Sequence, residues 1–123
     1  MAVRPVGGEL LAKISNAMVA LHREHFGRGP GAAKCVIADE IVVCTLSDVF
    51  THVERTLIEA GAGERVRDAR QMHQRALEPA FRQTVEELTG RGVVAFLSSV
   101  HFDPDLAVEV FVLEPLEPAA AVV

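Results

Sequence analysis

The chain has 123 residues, enough for one domain with a buried core and too few for two. Half of the residues are apolar and 24% are charged, the composition of a packed protein, and a net charge of -5 without basic-aromatic clusters argues against general nucleic-acid binding. No window approaches the ~20 apolar residues needed to span a bilayer. Met1 to Pro5 are not followed by the apolar core of a signal peptide, so a cytoplasmic protein is expected, reaching a membrane only through a partner.

Residues 1–8 are read as an arm. From about Glu9 to Phe26 a helix is expected, because Leu10, Ile14, Ala17, Met18, Leu21 and His25 form one stripe at helical spacing. His25 continues that stripe and His22 falls off it. A half-buried, satisfied histidine is favoured over a His22/His25 metal pair, since no further cysteine or histidine stands at ligand spacing. Phe26-Gly27-Arg28-Gly29-Pro30-Gly31 then combines a forced helix break with a lone cation. The glycines and proline could fix Arg28 at a backbone-rich corner where anions bind. The plainer reading is a helix stop with a solvated arginine.

Ala33 to Ala38 and Ile41 to Leu46 read as strands joined at Asp39-Glu40, with the turn type open. A two-residue loop there sets Cys35 directly opposite Cys44 as a non-hydrogen-bonded pair. A cross-strand disulfide is geometrically conceivable; two buried thiols are favoured in a reducing cytoplasm, and there is no Cys-x-x-Cys motif.

Thr51-His52-Val53-Glu54 has the spacing of a capping box and predicts a short helix from His52 to about Ala60. That role accounts for Glu54 without catalysis. A long helix is expected from Glu64 to Thr89, stopped by Gly90, with Val66, Ala69, His73, Ala76, Leu77, Ala80, Phe81, Thr84 and Leu88 facing inward. Arg67, Arg75, Glu78 and Arg82 group on its solvent side as an ion-paired face. Arg70 projects into the apolar sector beside His73, where a guanidinium requires a carboxylate, backbone carbonyls or an anionic ligand. A structural salt bridge or dimer contact is the favoured answer. Pro79 interrupts the run, yet the stripe stays in phase across it, so a single kinked helix is expected.

A second hairpin follows, Val93 to Phe102 and Ala107 to Leu113 around Asp103-Pro104-Asp105. The order is helix-strand-strand-helix-helix-strand-strand, an α+β domain over residues 9–113 with a four-stranded antiparallel sheet and helices on one face. Residues 114–123 read as a frayed tail. Both faces of both hairpins are apolar, whereas a sheet with helices on one side and water on the other alternates more cleanly. The second face therefore needs a cover. A symmetry mate is the simplest, giving a homodimer with Val36, Ile41, Val43 and Phe111 at its interface.

Phe26-Gly-Arg-Gly-Pro30, Asp39-Glu-Ile-Val-Val43, the Thr51-x-x-Glu54 helix start, Glu86-Glu-Leu-Thr-Gly90 before Val93-Val94, and Val110-Phe-Val-Leu113 together resemble the bacterial MpsC family. The resemblance covers about residues 9 to 113. It implies a cytoplasmic accessory protein associated with membrane sodium or bicarbonate handling, with a membrane transporter subunit as candidate partner, and carries over no catalytic residue. Phe50-Thr51-His52 and His101 to Asp105 depart from the family pattern.

Three functions compete at this level. The first is a homodimeric accessory or regulatory protein acting through protein contacts. The second is a small-anion-binding module for bicarbonate or phosphate, using Arg28, Arg70 and His73. An enzyme ranks last, because no nucleophile-base set, phosphate loop, metal-ligand cluster or cofactor motif is found in the sequence.

Overall fold

Both apolar hairpins end up in one sheet, since each buries one face beneath the same helices. The computed structural model describes residues 7–115. The elements are α1 (Gly7–Phe26), β1 (Ala32–Ala38), β2 (Ile41–Ser47), α2 (His52–Glu59), α3 (Gly63–Thr89), β3 (Val93–His101) and β4 (Leu106–Leu113). The strands lie in the order β1-β2-β4-β3, all neighbours antiparallel, so the two hairpins join through β2 and β4. The expected α+β class and element order hold. α1 begins at Gly7, inside the expected arm, while residues 1–6 and 116–123, most of the arm and tail, lie outside the described residues.

Local chemistry sets the boundaries. Asp39 takes a left-handed φ of 53° in the two-residue turn between β1 and β2, as tight hairpins demand. Cys35 and Cys44 stand opposite each other in that hairpin as free, buried thiols. α2 starts with the expected capping box: the Glu54 N–H donates to Thr51 Oγ1 at 3.1 Å, and the Thr51 N–H donates to Glu54 Oε1 at 2.8 Å. α3 runs through Pro79 as one helix and stops at Gly90, whose φ of 71° suits glycine and whose N–H donates to the Glu86 carbonyl.

α1 and α3 cover one face of the sheet. Ile14 and Met18 from α1, Phe81 and Val85 from α3, and Val42, Leu46 and Phe111 from the strands are sealed between them. Phe96 stacks between Phe81 and Phe111, at centroid distances of 5.6 and 4.9 Å. The buried helical positions differ from the expected stripes. On α1 they are Leu10, Ile14, Met18 and His22, a run of i+4 steps, so His22 is buried and His25 is only half covered. On α3 they are Val66, Arg70, Gln74, Leu77, Phe81, Val85 and Thr89, which leaves Ala69 and Ala76 in solvent. Arg70 projects into the apolar sector as expected, and Gln74 is buried beside the expected His73.

The other sheet face is open. Pairing of Val36 with Val43, Val43 with Val110 and Leu97 with Val110 draws an apolar band across all four strands. Val36 is 49%, Ile41 44% and Leu97 57% exposed on it. Phe111 does not belong to this face, contrary to the expectation for the interface. It pairs with Val42, and both point to the helix side, where Phe111 is fully buried.

Candidate functional site

The first of two polar clusters lies where β2 leaves the sheet. Arg28, fixed by the glycine-proline break after α1, donates from Nη1 to the Phe50 carbonyl and from Nη2 to Asp48 Oδ2, each at 3.0 Å. Arg55 pairs with Asp48 and Asp105. Asp105, from the turn between β3 and β4, accepts the Val49 N–H at 2.8 Å and the Phe50 N–H at 3.4 Å. Arg70 meets Glu54 through Nε and Nη2, both at 2.6 Å, and donates from Nη2 to the Val49 carbonyl at 2.9 Å. Burial tends to raise the Glu54 pKa, but Arg70 and the Thr51 amide outweigh it and hold the carboxyl below its usual value. Arg70 thus has the carboxylate and carbonyl that its position requires. Its guanidinium also lies 4.2 Å from the Phe26 ring centroid, with His73 packed on that ring at 4.6 Å. The three residues of the anion reading are therefore near one another, but Arg28 and Arg70 are engaged by carboxylates and carbonyls.

The second cluster is deeper, on the helix side of β4. Glu109 is completely buried at a position where the β4 alternation, Ala107, Glu109, Phe111 and Leu113, faces the core. Its Oε1 accepts the Gln74 amide at 3.0 Å and lies 3.6 Å from His22 Nε2. Burial pushes the Glu109 carboxyl up to about 7; the Ser98 hydroxyl opposite it, the Gln74 amide and the Arg70 charge offset only part of that. His22 is driven down to about 4 by burial, against the bond from its Nδ1 to the Met18 carbonyl, and is neutral beside Glu109. Arg70, Gln74 and Ser98 line a cavity of about 60 Å3 between α3 and β3, with the exposed Gln71 and Ser99 at its mouth. Chemically, this cluster can hold or release a proton near neutral pH. Among the described residues no group of three or more His, Cys, Asp or Glu side chains could hold a metal ion.

Sequence reasoning singled out Arg70 and missed Glu109, Gln74 and Ser98. A signal existed for two of them: Glu109 carries a charge in the buried phase of an alternating strand, and Gln74 follows Arg70 by one helical turn on the buried side. Ser98 gives none, because a serine fits either face.

No helix among the described residues is long and apolar enough to cross a membrane. No curated protein and no solved structure matches the chain. The family model described as Na+-translocating membrane potential-generating system (MpsC) matches residues 7–115, from the first turn of α1 to just past β4, and the chain belongs to that family.

Proposed function

We propose that this chain is a cytoplasmic accessory or regulatory component of a Na+-translocating membrane potential-generating system, acting through protein contacts as a homodimer closed through its open sheet face. Family membership supports the link to the membrane system. The observation that carries the mode of action is the open face itself. Val36, Ile41, Val43, Leu97, Val110 and Val112 line it, and among the described residues Lys34 is the only formally charged side chain that the strands place there. An antiparallel sheet normally turns its polar alternation to water. Here that side is apolar, and two copies stacked about a two-fold axis would bury it as the inner layer of a sandwich, with sheets ~10 Å apart. The protein then reaches the membrane by binding a transporter subunit and does no chemistry of its own. A bicarbonate or phosphate module has less support, since the charges of Arg28 and Arg70 are met within the protein.

Sedimentation velocity of the purified chain tests the assembly. A dimer is expected, converted to monomer by Val43→Glu or Val110→Glu at the centre of the face and retained in Met72→Glu on the exposed side of α3. A monomeric wild type, or a dimer that survives both sheet substitutions, rejects this interface.

A further inference from the structure

Four side chains stand in one row across the helix side of the sheet, because the register sets Cys35 opposite Cys44, Cys44 opposite Glu109 and Glu109 opposite Ser98. At the β1 end of that row are both cysteines of the chain, free thiols at 5% and 0% exposure. The hydrogen-bond phase of β2 decides how closely they approach. The Leu113 N–H donates to the Glu40 carbonyl and the Asp48 N–H to the Asp105 carbonyl, so even-numbered residues along β2 turn their backbone groups to β4 and odd-numbered ones turn theirs to β1. Cys35 and Cys44 are therefore a non-hydrogen-bonded pair, the class in which opposed Cα atoms come within ~4.5 Å and the side chains lie nearest. That spacing is inside the ~4.4–6.8 Å that a disulfide spans, so the bond can form without moving the strands apart.

The two thiols are not equivalent. Cys35 is on β1, an edge strand, and Cys44 is on β2, inside the sheet. Hydrogen bonding from Cys44, opposed by burial and assisted by Ser15 of α1, lowers the Cys35 thiol to about 7, and the same bond together with burial pushes Cys44 up. An edge thiol that ionises near neutral pH, backed by a protonated thiol in bonding register, is the arrangement of an attacking and a resolving cysteine.

We propose that Cys35 and Cys44 are a reversible modification site, converted by hydrogen peroxide from a buried dithiol to a cross-strand disulfide. The Cys35 thiolate attacks one peroxide oxygen, forming an S–O bond as the O–O bond breaks and releasing hydroxide, which takes up the proton that Cys35 gave to solvent. The Cys44 sulfur then attacks the sulfenic sulfur. The S–S bond forms, the S–O bond breaks, and the hydroxyl leaves as water with the Cys44 proton. The thiol pair loses two electrons, and the peroxide is reduced to two waters. A small thiol restores the dithiol by exchange. The site lies on the helix side of the sheet and does not depend on how the open face is covered.

The test is treatment of the reduced, folded full chain with hydrogen peroxide at neutral pH, followed by alkylation in denaturant and mass spectrometry of the tryptic peptides. Both cysteines fall on one such peptide, residues 35–55, which follows Lys34 and ends at Arg55. The expected product is that peptide unalkylated and two hydrogens lighter, from a chain that runs as a monomer on a non-reducing denaturing gel and regains both alkylations after dithiothreitol. Cys44→Ser should stop at the sulfenic acid, captured at Cys35 by dimedone, and Cys35→Ser should leave Cys44 alkylated. Retention of both alkylations in the wild type, a disulfide linking separate chains, sulfinic acid in place of the disulfide, or an internal bond formed only after urea unfolding overturns the site. The wild-type peptide decides by itself should a serine variant fail to fold.

Discussion

Where β2 leaves the sheet, three guanidiniums, Arg28, Arg55 and Arg70, meet three carboxylates, Asp48, Glu54 and Asp105. On the helix side of β4, Glu109 has an amide, a hydroxyl and a neutral imidazole for neighbours, with the Arg70 charge acting on it without a direct ion pair. The two clusters share only α3, and the charge of Arg70, fastened in the first, is also felt by Glu109 in the second. The first is balanced in charge and fastens a chain segment: Arg28 and Arg70 hold the carbonyls of Phe50 and Val49 while Asp105 holds their amides. The second is uncharged while Glu109 keeps its proton, and some of its buried polar atoms have no hydrogen-bond partner among the described residues.

Removing one member of the balanced cluster should have the largest effect on stability. Glu54→Ala leaves the Arg70 guanidinium, 3% exposed, without its carboxylate and removes the Glu54 half of the α2 capping box, so a loss of about 3–5 kcal/mol is expected in urea unfolding. A loss below about 1 kcal/mol would mean that the cluster is not a fastening.

The pH response sharpens the contrast. In the fold Glu109 titrates at about 7 rather than 4.5, so the stability it contributes is full below about pH 4.5 and is lost as pH rises through 7. His22 titrates at about 4 rather than 6.5, so its contribution is present above about pH 6.5 and is lost as pH falls through 4. Between 4.5 and 6.5 the two slopes oppose each other, because unfolding moves a proton from Glu109 to His22. Single substitutions separate them. In choline buffer, Glu109→Gln should gain roughly 3 kcal/mol relative to wild type as pH rises from 4.5 to 8, and His22→Leu should gain a similar amount as pH falls from 6.5 to 4. Parallel pH curves for wild type and both variants in urea unfolding would deny the pair any role in the titration.

Smaller effects return to the balanced side. Asp105→Ala removes the acceptor for the Val49 and Phe50 amides and should cost about 1–3 kcal/mol in urea unfolding. Arg28→Ala should cost no more than about 1 kcal/mol, since its side chain is 35% exposed and Asp48 keeps Arg55. Equal, large losses in both would show that the segment depends on Arg28 as much as on Asp105.

The element order, the Thr51/Glu54 capping box, the Asp39-Glu40 turn, the Gly90 stop and the Cys35/Cys44 register were all legible in the chain. Each rests on residues close in sequence, through the periodicity of a helix or strand, a cap three residues long, or a two-residue turn. The demand that Arg70 find a carboxylate was legible too, because a guanidinium on a buried helical face has few alternatives. Its partner was not, since Glu54 reaches it only after α2 folds back against α3. Helix rotation was decided in the same way. His22 replaced His25 on the buried side, and on α3 Gln74 is buried while Ala69 and Ala76 face solvent, because packing against the sheet selects one of several adjacent phases that periodicity leaves nearly equivalent.

The expectation that Phe111 lies on the open face was wrong, since valine and phenylalanine suit either face of a strand and local rules do not choose between them. Pairing of β4 between β2 and β3 settled it, turning Phe111 toward the helices and Val110 and Val112 to the open face. The same pairing set Ser98 against Glu109 and brought α3 over them. Sequence alone therefore determined the elements, their order and the need for a partner at Arg70, all of which follow from short-range backbone geometry and the cost of burying charge. Tertiary structure decided the register between distant strands and the rotation of the helices, and with them which polar side chains meet in the core.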